Sequence, residues 1–211
     1  MVRTITLGSD DRGQAHTLEA FVAAILLVAG LTFALQATAV TPLSASTSNQ
    51  HIENQQRATA TDLLETSAAN GDLREAVLYW DPGNESRDSG FAGTREGLPY
   101  HTGRGPPNAF GEALDRAFLD SRIAFNVRVT YHVEGGRSNQ RMVFMGTPSD
   151  NAVTATRTVP VSNDTSLTAP SFETRSLDEV ESDPDEEFYA PGVGDGPTYN
   201  YLEVRIVVWR M

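Results

Sequence analysis

Few side chains in this chain are placed to do chemistry. The histidines His16, His51, His101 and His132 show no metal-ligand spacing in any pair, and His132 falls on the polar face of a strand pattern. Asp183, Asp185, Glu186 and Glu187 supply hard oxygens of the kind a cation takes. Their spacing lacks the glycine and the distal glutamate of an EF-hand loop, so the run reads as a solvated acidic loop. Gly192, Gly194 and Gly196 alternate outside the strand–helix setting of a dinucleotide site. There is no nucleophile elbow, P-loop or His-Glu-x-x-His, and no cysteine for thiolate chemistry. The expectation is a non-enzyme with no metal and no cofactor. The alternative of an anchored extracellular hydrolase requires a concave pocket with convergent polar groups. Two sequons, Asn84-Glu85-Ser86 and Asn163-Asp164-Thr165, are candidate glycosylation sites.

The remaining candidate is Glu19, which stands at the lip of an apolar run. From Ala20 to Val40 there is no charged residue. A helix of that length reaches roughly 30 Å, the thickness of a bilayer's hydrocarbon core. The run exceeds the h-region of a secretory signal, and "ALQATAV" is a poor cleavage site, so it reads as an anchor. Arg3 and Arg12 precede it and the next basic residue is Arg57, which predicts a cytoplasmic N-terminus and an extracellular remainder. At a helix start Glu19 would meet the positive end of the helix dipole. Ala20 and Ala24, then Gly30 and Ala34, recur at the small-residue spacing that lets membrane helices approach closely.

The order of these features resembles a family. A short polar leader ends in "DRG", "QAHTLEAF" follows, and the apolar run comes next. This start resembles archaeal type IV pilin-like proteins over residues 1–42. The resemblance implies that a prepilin peptidase removes the leader within Gly13, Gln14 and Ala15. It also implies that Glu19 meets the new amino terminus of a neighbouring subunit. Cutting after Gly13 makes Glu19 the sixth mature residue, and cutting after Gln14 makes it the fifth. The Ser-Pro junction of better-known haloarchaeal pilins is absent. The whole chain is also similar to haloarchaeal membrane-anchored proteins that share the "GQAHTLEAF" start, a likeness that carries no activity.

Composition agrees in part. The 211 residues carry a net charge of −12, and all 16 basic residues are arginine. Such an acid excess disfavours nucleic acid, whose phosphates need basic patches. Acid excess without lysine resembles the proteins of extreme halophiles, in which multimolar salt shortens screening to roughly 3 Å.

Beyond Pro42 the pattern predicts a polar stalk helix, with Ile52, Gln55, Gln56, Ala60, Leu63, Leu64 and Ser67 on one stripe, ending near Asn70-Gly71. Asp72-Leu73-Arg74-Glu75 reads as a capping box that opens a short helix bearing Leu73, Ala76, Val77 and Trp80 on one face. Residues 81–107 read as a long loop. Asn108 caps a second helix over 109–120. Period-two alternation predicts strands in "RIAFNVRVTYHV", "RMVFMG", "NAVTATRTVPV" and "YLEVRIVVWR".

The predicted fold is α+β. It comprises a leader (1–14), a transmembrane helix (15–41), a stalk helix (42–70) and an acidic head (71–211) with about four antiparallel strands and two short helices. The expected function is that of a minor pilin or pseudopilin in a surface or secretion assembly. Its expected partners are membrane lipid, a prepilin peptidase and like subunits. The alternative is an uncleaved single-pass anchored binding module.

Overall fold

The computed structural model describes residues 10–94, 97–101, 105–194 and 196–210, with backbone alone at 10–15 and 37–49. Residues 1–9 of the expected leader lie outside the described residues. The fold is α+β: one apolar N-terminal helix, a four-stranded antiparallel sheet and a smaller two-stranded sheet. Two compact units divide the chain, Met1–His51 and Ile52–Met211. The long helix α1 (Asp10–Asn70) contributes to both and does not stop at Pro42.

In the second unit α1 buries a narrow stripe. Gln56, Ala60, Leu64 and Ser67 are buried at three- and four-residue spacing, while most of the intervening polar positions face solvent. The helix ends at Gly71, whose φ of +89° costs little only because glycine lacks a Cβ.

α2 (Asp72–Leu78) follows at once. The capping box expected at Asp72–Glu75 does not form. Gly71 is itself the N-cap, with no side-chain cap, and the Glu75 amide bonds to the Gly71 carbonyl at 3.0 Å. The sharp left-handed turn makes Asp72 the first helical residue, so its carboxylate cannot reach back across the helix start. Leu73, Ala76 and Val77 are buried as expected, but Trp80 falls beyond the helix in β1 (Trp80–Asp81). β1 pairs with β2 (Gly90–Phe91) inside the stretch that reads as loop.

α3 (Ala109–Ala117) begins at Asn108, whose Oδ1 accepts the Gly111 amide at 3.1 Å. Phe110, Leu114 and Phe118 are fully buried, and a 3₁₀ turn (Leu119–Ser121) leads into the sheet. β3 (Ile123–Val133), β4 (Gly136–Phe144), β5 (Val153–Ser162) and β6 (Thr198–Arg210) form the four-stranded sheet in the order β4-β3-β6-β5. A third short helix, α4 (Leu177–Ser182), lies in the connection between β5 and β6. It carries the capping box that the sequence pattern suggests elsewhere: Ser176 Oγ accepts the Glu179 amide, and Glu179 accepts the Ser176 amide.

The inner face of the sheet carries Phe125, Val127 and Val129 on β3 and Leu202, Val204, Ile206 and Val208 on β6, all essentially inaccessible. They share one core with Leu64, Val77, Leu114, Leu177 and Val180, so the helices of this unit pack against this face. A bulge between Val127 and Arg128 accommodates the buried Met142 on β4. Beside β4, the Tyr100 amide donates to the Met142 carbonyl and the Tyr100 carbonyl accepts the Phe144 amide, both at 2.9 Å, covering part of that sheet edge.

Candidate functional site

The first unit presents the most distinctive surface. Over His16–Gln36, α1 is long and apolar enough to cross a membrane, and none of it is buried. Phe21, Leu26, Leu27, Leu31 and Phe33 are exposed on all sides of the helix, Leu27 and Phe33 at 75%. An amphipathic helix would keep a polar face; this one has none, as a lipid-facing helix requires. Its one mid-span hydroxyl, Thr32, bonds back to the Val28 carbonyl at 2.7 Å, so the hydroxyl needs no water.

Glu19 sits at the N-terminal edge of this surface, its side chain 81% exposed. His16 Nδ1 lies 3.7 Å from Glu19 Oε2 one turn away, a pair that becomes ionic when the imidazole is protonated. The helix already runs from Asp10, so Glu19 lies two turns inside it and not at its start. The dipole effect fades within the first turn, so the expected stabilisation of Glu19 by the helix end is absent in this chain. Gly13, Gln14 and Ala15 have helical backbone, and their side chains lie outside the described residues. Ala20, Ala24, Gly30 and Ala34 are all exposed and, at 100° per residue, fall within an arc of about 120° on one helix face. A Cβ added at Gly30 would meet nothing within 4 Å.

The two sequons differ in setting. Asn84 and Ser86 are exposed on a tight turn, with Asn84 Oδ1 accepting the Ser86 amide at 2.9 Å. Asn163 is half-buried, and its threonine is engaged. Thr165 Oγ1 accepts from Arg74 Nη2 at 2.9 Å and from the Ser162 amide at 3.1 Å.

Two members of the acidic run are occupied internally. Arg175 bonds Asp183 Oδ2 at 3.1 Å and Glu186 Oε2 from both Nε and Nη2, placing a guanidinium between the two carboxylates. Among the described residues no three His, Asp or Glu converge on a metal position. His51, His101 and His132 are each exposed.

An aromatic cluster joins Trp80, read on the face of the short helix after Gly71, to Phe91, Phe188 and Tyr189 from stretches that read as loops. Trp80, Phe91, Phe188 and Tyr189 meet edge to face or tilted, with centroids 4.2–6.2 Å apart. Trp80 Nε1 donates to the Glu187 carbonyl at 2.7 Å, and the Tyr189 hydroxyl to the Val77 carbonyl at 2.9 Å. The aromatic residues themselves were the available signal, since solvated loops rarely carry so many. The surface of the β-sheet unit carries hollows. One of about 390 Å³ is lined by Asp81, Arg87, Phe91 and Thr94. A broader one of about 750 Å³ is lined by Arg74, Glu75, Asp164, Thr165 and Glu173. In the first, Arg87 holds Asp81 at 2.9 Å.

One family profile extends over residues 12–208. The chain belongs to the family of unknown function DUF7288. The matched range takes in Glu19, the apolar helix and the sheet. No curated protein and no solved structure matches the chain.

Proposed function

We propose that this DUF7288 chain is a membrane-anchored, pilin-like surface protein, a minor pilin or pseudopilin of an archaeal surface or secretion assembly. The observation that carries the reading is Glu19 at the edge of a helix that is apolar on every side. An anchor alone needs no carboxylate there, and moving one toward the membrane centre costs roughly 2.5–3.5 kcal/mol on insertion scales.

In the intact chain Glu19 lies too deep in α1 to be stabilised by the helix end. Removal of the leader between Arg12 and Ala15 brings a charged amino terminus within two turns of it. The carboxylate then has a cationic partner, its own or a neighbour's. The small-residue face of Ala20, Ala24, Gly30 and Ala34 supports close approach of like helices. The positive-inside rule places the N-terminus in the cytoplasm and the β-sheet unit outside the cell.

N-terminal sequencing of the chain extracted from native membranes tests this reading. A mature chain beginning at Gln14 or Ala15 is the expected result. A chain that keeps Met1 or Val2 would overturn processing and leave an uncleaved anchored module.

A further inference from the structure

We propose that the open face of the β-sheet is a docking surface for the acidic β5–β6 segment of a second copy of this chain, giving a head-to-tail contact. The face is defined by register. Ala124, Asn126, Arg128 and Thr130 of β3 lie opposite Trp209, Val207, Arg205 and Glu203 of β6, on the side away from the core. The β4–β5 connection reaches one end of this face, where Asn126 binds the Met145 amide and the Gly146 carbonyl. The rest is open.

Across the open part, Arg141, Arg128 and Arg205 stand directly side by side on three adjacent strands. Arg137 lies on the same face, opposite His132. All four arginines are exposed. Like charges placed directly opposite each other destabilise a sheet. Among the described residues one carboxylate relieves them: Glu203 lies 3.2 Å from both Arg137 and Arg205. Arg141 stacks over the Phe144 ring at 5.0 Å. Arg128, at the centre, has no carboxylate partner among the described residues.

The chain has 28 acidic residues and only 16 arginines, so four arginines against one glutamate on one open face is an inverted distribution. Folding does not require it, because threonines fill the neighbouring positions 154, 156 and 158 of β5. The missing counter-charge is present elsewhere in the chain. Residues 173–187 hold eight carboxylates and one arginine. That arginine, Arg175, is used by Asp183 and Glu186, while Glu173, Asp178, Glu181, Asp185 and Glu187 are exposed.

The two surfaces cannot meet within one molecule. Leu177 and Val180 of α4 pack into the core on the inner side of the sheet, so the segment and the arginine face lie on opposite sides of it. Two different patches that complement each other make a heterologous contact, which propagates into a row of subunits instead of closing a dimer. The contact deepens the reading of a like-subunit assembly but does not depend on leader removal.

The absence of cysteine makes the test direct. Full-length Asn139→Cys and Ser182→Cys chains, both positions exposed, are mixed in detergent and oxidised. The expected result is a disulfide-linked pair in the mixture, at least about tenfold more abundant than in either chain alone. Adding Arg128→Glu with Arg205→Glu to both chains abolishes it, and so does adding Asp185→Arg with Glu187→Arg. Mixing the two charge-reversed forms restores it, which also shows that both are folded.

Equal cross-linking with and without charge reversal would overturn the contact, as would a predominant Asn139→Cys homodimer. So would loss of retention on alginate, a polyuronate, by the arginine variant when no chain-to-chain link forms. That outcome would assign the face to an anionic glycan. The cross-link is read on uncleaved chain, so a retained leader leaves its result unaffected.

Discussion

Single residues separate the structural demands on this chain from its functional ones. Asn200 is fully buried in β6 and uses its whole amide. Its Oδ1 accepts from the backbone of His132 and Tyr201, and its Nδ2 donates to the carbonyls of His132 and Pro191. It stands in for ladder bonds just where the β3–β6 register ends. Asn200→Ala removes the partner of two part-buried backbone amides and two carbonyls, so a loss on the order of 3 kcal/mol is expected, read as a lowered melting temperature. Glu19 is the opposite case, because it is exposed beside His16 one turn away. Glu19→Gln should leave the melting of the β-sheet unit and membrane insertion unchanged. It should lower surface assembly by roughly tenfold or more, equivalent to about 1.4 kcal/mol, as counted by cell-surface labelling of assembled subunits. Unchanged assembly would favour a simple anchor. Glycosylation should follow accessibility in the same way, at Asn84 and not at Asn163, whose Thr165 hydroxyl is already engaged. Mass spectrometry of the native chain reads this directly.

Elements show which signals a sequence carries and which it hides. The apolar helix and the four main strands were legible because long periodic runs outweigh local accidents. The buried stripe Gln56, Ala60, Leu64 and Ser67 and the Asn108 cap were legible for the same reason. The short elements were not. Asp72–Glu75 has the letters of a capping box, but Gly71 takes the cap with a left-handed turn. Ser176–Glu179 has the same spacing and does form one, yet it lies within an acidic run that reads as solvent-exposed. Two-residue strands such as β1 and β2 have too few positions to show a period, and they are held by the aromatic cluster formed in three dimensions. The open arginine face was equally hidden, since Arg128, Arg141 and Arg205 become neighbours only through strand order and a bulge. The passage into α3 gives a sharp test of such tertiary demands. Gly111 lies under the chain at Pro106, and a Cβ added there would overlap the Pro106 carbonyl oxygen. Backbone cannot swing aside as a side chain can. Gly111→Ala should therefore cost at least about 2 kcal/mol, read by thermal or denaturant unfolding, although alanine is the better helix former.

On the scale of the whole molecule, the family match covers the apolar helix and the β-sheet unit alike, and the core of the latter includes aromatic residues from distant parts of the chain. Three of its tyrosines resist ionisation. Burial raises Tyr189 well above its ordinary value, with Tyr131 adding to the effect. Burial also raises Tyr100, with a contribution from Tyr79, and Tyr199, where the carboxylates of Glu181 and Asp178 add to it. Each tyrosine is neutral when protonated, and the folded state holds its proton more tightly than the unfolded chain. Below about pH 10 both states are protonated and this contribution to stability is complete. Above that, the unfolded chain releases protons that the folded chain keeps, so stability falls as pH rises toward the folded values. The folded unit should therefore titrate few of these phenols before it unfolds. Ionisation of these three phenols and loss of β-sheet circular dichroism should come together in one cooperative alkaline transition. Tyr189→Phe removes one of the coupled protons and should flatten the fall of stability with pH. It should also lower stability at neutral pH modestly, because the Val77 carbonyl loses its donor. Gradual ionisation of these three phenols with the sheet signal intact would show instead that their surroundings open to water without unfolding.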